Sequence, residues 1–383
     1  MESTTYLIVG GGMTGDMAAK GIREHDADGR IVIVGADPNP VYKRPLLTKG
    51  LWSGAPEEKL WREPVPDVDV VTGRRIVSLD LDGHRATDDA GDEYEWEKLL
   101  LATGATPRQI PGADGVVWFR TLDDYRLVRE KATEGAHFVV IGGGFIGSEL
   151  AAALVGAGVK VTMVFPEPGI GFRLFPAGLA EFLVGYYREK GVEVLAGEMV
   201  GAASGTSVTL GDEGGDGRVL EADCVVAGLG VVPETDLAEA AGLEVNDGIV
   251  VDEYGRVPGH DDVFAAGDVA RFPVLALGIA LRIEHEDHAN THGKVVGANM
   301  SGAAQPYDHL PLFYSDLFDL GYEAVGLVDS RLEAVEDWQE PYRKGVVTYV
   351  EDGRPRGVLL WNVWDKVDDA RELIRAGEGT FAV

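Results

Sequence analysis

The sequence is short of positive charge: 34 Lys and Arg residues stand against 64 Asp and Glu in 383 residues, a net charge of −30. Binding to nucleic acid requires clustered Lys and Arg, so this balance argues against a nucleic-acid partner. It argues equally against docking on an anionic membrane surface. Taken alone, the charge implies solubility through self-repulsion.

Cysteine is almost missing, and Cys224 is the single example. One thiol cannot form an internal disulfide, so a redox-active cysteine pair within this chain is excluded. The Cys and His residues also lack the spacing of a structural zinc site, and we expect no metal. Because Cys224 lies in an apolar run, we expect it to pack as a small hydrophobic side chain.

Long apolar runs are missing as well. No window of about 18 apolar residues occurs, so no membrane span is predicted. The first apolar run, Tyr6–Val9, leads straight into a glycine cluster and follows no basic segment of the kind that begins a signal peptide. We therefore expect a cytoplasmic protein. A hydrophobic share of 45 % indicates a globular chain, and the length predicts two or three domains.

What the sequence does contain is one pattern that occurs twice, at Thr5–Glu24 and at His137–Gly158. A buried-strand pattern is followed by G-x-G-x-x-G and then by an alanine-rich helical pattern. The first glycine allows a tight turn, the second lets the backbone approach a pyrophosphate, and the third lets the helix pack closely on the strand. The residues expected to bind the cofactors are Gly10, Gly12, Met13, Thr14 and Gly15 in the first copy and Gly142, Gly144, Phe145, Ile146 and Gly147 in the second.

Each copy is followed by an acidic residue at the distance typical of a ribose ligand, Asp37 in the first and Glu167 in the second. Two such sites predict two dinucleotides, and the simplest pair is a tightly held FAD and an exchangeable NADH. Glu167 would repel a 2′-phosphate, which favours NADH over NADPH. Arg173 weakens this preference, because a nearby arginine can accommodate that phosphate.

Three further segments carry a family resemblance. LLLATGATPR, at Leu99–Arg108, and DVFAAGDVA, at Asp262–Ala270, read as strands that end in glycine turns. Together with the two glycine motifs they resemble the flavoprotein reductases that have two dinucleotide-binding folds. RPLLTK, at Arg44–Lys49, narrows the resemblance to the branch with apoptosis-inducing factor and the ferredoxin reductases of oxygenase systems.

The C-terminal half is more similar to apoptosis-inducing factor, at Arg282–Tyr307, Phe313–Ser330 and Gly357–Lys366. The resemblance covers essentially the whole chain. It implies an α/β fold of the glutathione reductase type, with two Rossmann-like domains and a C-terminal α+β domain. The implied FAD-binding domain is 1–113 with 243–302, the NAD(H)-binding domain is 114–242, and the C-terminal domain is 303–383. Within this frame we expect a hairpin turn at 204–217 and a last helix at 370–379.

The resemblance also implies a catalytic group. Lys49 is expected beside the flavin ring, paired with Glu149, and Phe145 is expected to guard the face where the nicotinamide stacks. Without the resemblance, Lys49 would be read as a solvated lysine, Glu149 as an acid in a first helical turn, and Phe145 as a packing residue.

Further cofactor contacts are implied by the same resemblance, with ordinary surface or packing positions as the alternatives. The implied flavin contacts are Arg44, Val77, Arg120, Asp268 and Tyr314, and the implied nicotinamide contacts are Gly230, Glu284, His285 and Glu323. The cluster Glu284–His288 precedes a predicted helix at Ala289–Met300. We prefer a helix N-terminus facing the flavin to a metal site there. Two departures from the family are Ala36, where an acid is usual, and Tyr314, where apoptosis-inducing factor has tryptophan.

The implied reaction is hydride transfer from NADH to FAD, followed by delivery of electrons to an acceptor. The acceptor could be a small molecule, or a ferredoxin or rubredoxin in an electron-transfer chain. The charge of −30 disfavours an acidic iron–sulfur partner, unless a local basic patch is present or high salt screens the repulsion. An alternative is a sensing module in which NADH switches assembly. The chain could thus be a monomer or a homodimer, with NADH promoting the dimer in the sensing case.

Overall fold

The computed structural model describes residues 2–211 and 217–382. The strands in chain order are β1 (Glu2–Val9), β2 (Ile31–Gly35), β3 (Val68–Thr72), β4 (Ile76–Asp80), β5 (Arg85–Asp88), β6 (Glu93–Leu101), β7 (Ala105–Pro107), β8 (Val117–Trp118), β9 (His137–Ile141), β10 (Lys160–Phe165), β11 (Val192–Ala196), β12 (Val200–Ala203), β13 (Ser207–Leu210), β14 (Val219–Glu221), β15 (Cys224–Ala227), β16 (Val231–Pro233), β17 (Ile249–Val250), β18 (Val263–Ala265), β19 (Ala270–Val274), β20 (Ile279–Arg282), β21 (Leu312–Leu317), β22 (Leu320–Gly326), β23 (Glu333–Glu340), β24 (Lys344–Glu351) and β25 (Arg354–Trp361). The helices are α1 (Met13–Arg23), α2 (Leu122–Lys131), α3 (Phe145–Gly156), α4 (Ala177–Glu189), α5 (Asp236–Ala240), α6 (Glu286–Met300) and α7 (Val367–Ala376). Short 3₁₀ turns form at Arg44–Leu47, Glu57–Lys59 and Gly267–Val269.

The chain divides into two compact units, each assembled from three segments. The first unit contains the chain up to Lys43, Glu58–Thr106 and Val232–Pro311. The second contains Arg44–Glu57, Pro107–Val231 and the chain from Leu312 onward. The predicted hairpin segment 204–217 contains β13, which pairs antiparallel with β12 before the segment and with β14 after it, and residues 212–216 lie outside the described residues.

The first unit is built on a sheet whose central strands are parallel. The order β3-β2-β1-β6 is followed by β18 beside the C-terminal part of β6, and the antiparallel strands β5 and β4 complete the sheet. Strand β2 and the C-terminal parts of β1 and β6 read as continuous apolar runs because both of their faces are covered, whereas the edge strand β3 is largely exposed. Ile8, Ile33 and Leu100 pack with Phe264 and Val296 in one core cluster.

The second unit repeats the arrangement with a parallel sheet of order β11-β10-β9-β15-β8. It adds an antiparallel sheet of order β21-β22-β25-β24-β23, followed along the chain by α7. Each glycine motif lies between a parallel strand and the helix that follows it, β1 with α1 and β9 with α3. The predicted α/β class, with two dinucleotide-binding folds and a C-terminal sheet, is confirmed.

Two helix boundaries differ from the sequence predictions. The helix expected at Ala289–Met300 begins at Glu286, and the last helix covers Val367–Ala376 rather than 370–379. Both helices carry two acidic residues in the first turn, where the helix dipole favours them. The last helix ends before Gly377, whose φ of +73° is the left-handed conformation of a helix C-cap.

Cys224 lies on β15 and is 1 % exposed. Burial raises the pKa of its thiol to about 11, so the thiol is unreactive at neutral pH. It packs as the small hydrophobic side chain that we expected. Within 2–211 and 217–382, no helix combines the length and the apolar character needed to cross a membrane.

Helices α1 and α6 approach each other closely through glycine. A β-carbon added to Gly297 would lie 2.0 Å from Ala18 O, and one added to Gly21 would lie 2.1 Å from Lys294 O. This close approach brings both helices onto the same sheet of the first unit. The starts of α1 and α6, at Met13 and Glu286, therefore have fixed positions in the unit.

We predict that Gly297→Ala destabilises the protein by about 1–3 kcal/mol, the usual cost of overpacking, because the new methyl group collides with α1 backbone. Gly185→Ala in α4 is the matched control, since a β-carbon there meets no atom within 4 Å. It should stabilise by about 0.5–1 kcal/mol. Urea denaturation followed by tryptophan fluorescence measures the stability of both variants. Equal changes in the free energy of unfolding would contradict the close approach of α1 and α6.

Candidate functional site

The first glycine loop joins β1 to α1. Gly10 has a φ of +130°, and a β-carbon there would lie 2.0 Å from Ala102 O. A β-carbon at Gly15 would lie 2.2 Å from Gly10 O, so the first turn of α1 can pack against the loop only with glycine at position 15. Gly12 differs, because a β-carbon there would meet no atom within 4 Å. The backbone therefore packs tightly against other protein atoms at the first and third glycines of the loop. At the second glycine it leaves open space.

The second loop, between β9 and α3, has the same geometry. Gly142 has a φ of +117° and its added β-carbon would lie 2.3 Å from Gly228 O, while that of Gly147 would lie 2.0 Å from Gly142 O. At Gly144 the added atom would meet nothing within 4 Å. Gly12 and Gly144 are the N-cap residues of their helices and supply no side-chain cap. The first-turn amides can thus bind an anion, as a dinucleotide phosphate requires.

The predicted site residues fall into both units. Those in the first unit are Gly10, Gly12, Met13, Thr14, Gly15, Asp37, Val77, Asp268, Glu284 and His285. Those in the second unit are Arg44, Lys49, Arg120, Gly142, Gly144, Phe145, Ile146, Gly147, Glu149, Glu167, Arg173, Gly230, Tyr314 and Glu323. Lys49, Glu149 and Tyr314 thus belong to one unit although the sequence separates them widely.

Lys49 and Glu149 form the centre of a buried polar cluster in the second unit. Lys49 Nζ lies 2.6 Å from Glu149 Oε1, and Glu149 is 7 % exposed. Thr48 Oγ1 donates to Glu149 Oε2 at 2.5 Å, and Ser315 Oγ donates to Oε1 at 2.6 Å. Two segments distant in sequence, 48–49 and the strand with Ser315, therefore supply three donors to one carboxylate. A buried carboxylate needs such donors to stay charged.

The surroundings of this cluster are aromatic. Tyr187 and Tyr322 are buried, and burial, followed by the negative charge of Glu149, raises the pKa of each well above its ordinary value. Lys49 Nζ lies 5.1 Å from the centre of the Tyr314 ring, which is a cation–π distance. Asp316 is a second acidic neighbour, with its Oδ2 at 3.3 Å from Lys49 Nζ.

Other predicted residues of the second unit lie near this cluster in sequence or register. Phe145 is half-buried and meets Phe313 edge to face, with ring centres 5.5 Å apart. Glu323 lies opposite Tyr314 in the β21–β22 register. Burial and then Asp365 raise the pKa of Glu323, and its Oε2 is buried without a hydrogen-bond partner in the described part of the chain.

Two arginines predicted at the flavin are neighbours. Arg44 Nη1 donates to the backbone oxygen of Arg120 at 3.1 Å. In the first unit, Arg282 donates to the backbone oxygen of Asp268 at 3.3 Å and also pairs with Glu284. The turn with Asp268 is thereby joined to the segment that leads into α6.

The start of α6 is occupied by His285, the N-cap residue. Desolvation lowers the pKa of His285 to about 4, so its ring is neutral at neutral pH. Among the described residues, no group of three or more His, Cys, Asp or Glu side chains could hold a metal ion. The metal interpretation of Glu284–His288 gains no support.

The two acids predicted at ribose groups have different surroundings. Asp37 accepts from Asn39, at 3.0 Å from its backbone nitrogen, and from the Tyr42 hydroxyl at 2.8 Å. A carboxylate has about four lone-pair sites, so Asp37 keeps capacity for a further donor. Glu167 follows β10 and pairs with Arg173 at 3.0 Å. The Arg173 side chain is 86 % exposed, and an ion pair of that kind is weak.

Two more predicted residues are open to ligands. Val77, on β4, is 53 % exposed, and Gly230 has a φ of +79° with no atom within 4 Å of an added β-carbon. Sequence reasoning missed Thr48 and Ser315. Thr48 directly precedes Lys49, and Ser315 directly follows Tyr314 on β21. The only sequence signal for each was that it lies next to a predicted site residue.

We predict that Ser315→Ala lowers the free energy of unfolding by about 1.5–3 kcal/mol, the range for hydrogen bonds to charged groups, because Glu149 loses a buried donor. Ser53→Ala is the control, since Ser53 is exposed and bonds only to Gly50 O in the described residues. It should change stability by less than about 0.5 kcal/mol. Urea denaturation measures the free energy of unfolding of both variants. A loss in Ser315→Ala no larger than that in Ser53→Ala would show that Ser315 does not stabilise the Glu149 carboxylate.

Comparison with known proteins agrees with this geometry. Residues 4–293 match the family model described as pyridine nucleotide-disulphide oxidoreductase. Residues 296–339 and 335–376 match the model of the C-terminal part of apoptosis-inducing factor, mitochondrion-associated. The family resemblance expected from the sequence is confirmed.

Individual relatives match over nearly the whole chain. Apoptosis-inducing factor 1, mitochondrial, of Dictyostelium discoideum is 31 % identical over 98 % of this chain and 79 % of its own length. Monodehydroascorbate reductase 3 of Arabidopsis thaliana is 34 % identical over 94 % of this chain and 89 % of its own. The crystal structure of the ferredoxin reductase for the CYP199A2 system of Rhodopseudomonas palustris is 28 % identical, with a TM-score of 0.89 over 98 % of this chain and 96 % of that one.

These matches cover both glycine loops and the Lys49–Glu149 cluster, and they imply the use of a flavin and a pyridine nucleotide. The chain belongs to the pyridine nucleotide-disulphide oxidoreductase family and is an oxidoreductase.

Proposed function

We propose that this protein is an FAD-dependent NADH oxidoreductase that passes electrons to a redox-protein acceptor. The observation that carries the proposal is the pair of glycine loops, in which Gly12 and Gly144 alone among the motif glycines described here leave open space for a phosphate. The residues present therefore fit two dinucleotides. The proposed flavin-binding segments are 1–113 and 243–302, and the proposed nicotinamide-binding segment is 114–242.

In the proposed flavin site, the start of α1 binds the pyrophosphate and Asp37 accepts from the adenosine ribose. Val77 meets the adenine through its backbone, and Arg44 and Arg120 lie at the pyrophosphate or the ring edge. Asp268 accepts from the ribityl hydroxyls. The start of α6 faces the ring, where a helix N-terminus favours negative charge, and Glu284 and His285 just before it line the nicotinamide pocket.

In the proposed nicotinamide site, the start of α3 binds the pyrophosphate and Gly230 lets the backbone approach the nucleotide. Glu167 accepts from the ribose 2′-hydroxyl and repels a 2′-phosphate, which supports NADH over NADPH. Arg173 is exposed and pairs with Glu167, so it supplies little opposing attraction. Glu323 and Phe145 meet the nicotinamide end.

A bound flavin supplies the hydride and electron chemistry. The protein supplies charge and position. Lys49 provides the positive charge that a reduced flavin requires, and Glu149, Thr48 and Ser315 keep its amine oriented. Tyr314 closes the far side of the ring.

The proposed acceptor follows from the solved ferredoxin reductase that this chain is similar to. The net charge of −30 disfavours an acidic acceptor, unless a local basic patch on this chain receives it or salt screens the repulsion. With one buried cysteine, electrons do not pass through a disulfide of this chain. We propose a cytoplasmic location. The rival, an NADH-switched assembly module, requires slow reoxidation and an NADH-dependent dimer on a sizing column.

We predict that mixing the FAD-loaded protein anaerobically with NADH bleaches the flavin band rapidly in stopped-flow absorbance. The same concentration of NADPH should act more slowly, because Glu167 repels its extra phosphate. Fast reoxidation by a small iron–sulfur protein supports the reductase function, whereas a persistent long-wavelength band supports sensing. A protein that carries no flavin after reconstitution with FAD would refute the proposal.

We also predict that Glu167→Gln narrows the preference for NADH over NADPH by about tenfold, the effect of about 1.4 kcal/mol, because the charge that repels the 2′-phosphate is removed. Glu189→Gln, at the exposed end of α4, is the control for loss of one negative charge. The ratio of the flavin reduction rate with NADH to the rate with NADPH measures the preference. An unchanged ratio in the Glu167 variant means that the ribose assignment is wrong.

A further inference from the structure

A buried imidazole on α6 contacts the turn that carries Asp268. His292 is 0 % exposed, and its Nδ1 accepts a hydrogen bond from the backbone N–H of Gly267 at 3.3 Å. Gly267 has a φ of +75°, and a β-carbon there would lie 2.2 Å from Thr14 Oγ1. The turn is therefore held by the start of α1 and by His292.

The hydrogen bond fixes the tautomer of His292. A backbone N–H can only donate, so Nδ1 is the unprotonated nitrogen and the neutral ring carries its hydrogen on Nε2. Burial lowers the pKa of His292 to about 3, so the ring stays neutral at physiological pH. An acceptor is thus always available to Gly267.

Packing alone does not account for a histidine at this position. His292 Nε2 is buried and has no hydrogen-bond partner within the ranges that the structure describes. A buried donor without a partner is destabilising, and an apolar side chain of similar size would avoid that cost. What histidine gains over such a side chain is the bond to Gly267.

The neighbouring polar network runs through His288, which also has a backbone contact with Gly267. Thr291 Oγ1 donates to Asp287 O at 2.7 Å, so it accepts from the Tyr307 hydroxyl at 2.8 Å. The Tyr307 oxygen is then the acceptor for His288 Nδ1 at 3.1 Å. The Tyr307 ring lies only 4.6 Å from that of His292, centre to centre, which makes Tyr307 a local control.

We propose that His292 is a positioning residue for the flavin, an assignment that rests on the function proposed above. By accepting the Gly267 N–H, it holds the turn so that Asp268 keeps the orientation in which its carboxylate accepts from the ribityl hydroxyls. His292 touches no cofactor atom in this assignment and acts through the backbone of Gly267.

The test compares His292→Leu, which removes the acceptor, with His292→Asn, whose Oδ1 can replace Nδ1, and with Tyr307→Phe. Each apoprotein is titrated with FAD, and the quenching of flavin fluorescence gives the dissociation constant. The absorption spectrum and the midpoint potential of the bound flavin are measured as well. We expect H292L to bind FAD about tenfold more weakly than wild type, with a shifted spectrum and potential, from the loss of one buried hydrogen bond. H292N and Y307F should stay within about twofold of wild type, because both keep the acceptor at Gly267.

Wild-type affinity in H292L would overturn the proposal, and so would equal weakening in H292L and H292N. Equal weakening in H292L and Y307F would also overturn it, because general loosening of the cluster would then explain the effect. If H292L does not fold, H292Q takes its place with the same expectations, since its amide reaches the Nε2 position and not the Nδ1 position. If wild type itself binds no FAD, the proposed function fails, and this assignment fails with it.

Discussion

The second unit depends on one buried carboxylate. Glu149 lies in the first turns of α3, where an unmatched charge would be costly, so the chain must deliver donors to it. Lys49 and Thr48 come from the segment after the 3₁₀ turn at Arg44–Leu47, and Ser315 comes from β21. The glycine loop, the RPLLTK segment and the C-terminal sheet are therefore held in register by a single side chain.

The first unit meets a different constraint, the close approach of backbone to backbone. The first and third glycines of the loop, and the glycines of the α1–α6 contact, leave no room for a β-carbon, as the 2.0 Å separations at Gly10 and Gly297 show. Close packing places helix starts accurately without using polar side chains. Polar side chains near the turn at Gly267 are therefore not needed to place the helices. His292, for example, accepts a hydrogen bond from the backbone of that turn.

Local patterns made much of this predictable from sequence. The glycine motifs fix their own strand–turn–helix geometry, and both occur where the spacing indicated. The Lys49–Glu149 pair, 100 residues apart, followed from the family resemblance and not from any local rule. Ser315 and His292 could not be predicted, because each matters only through a contact that the tertiary fold creates. Helix α6 began earlier than predicted because the acids before Ala289, which read as a site, also suit a first helical turn.

The buried Cys224 has a consequence for how many electrons the chain can carry. A single thiol cannot store an electron pair as a dithiol, so the reducing equivalents of one pyridine nucleotide have no second place to wait within the polypeptide. The capacity of the protein is that of its flavin alone. An acceptor that takes one electron at a time would therefore have to be met twice for each nucleotide oxidised.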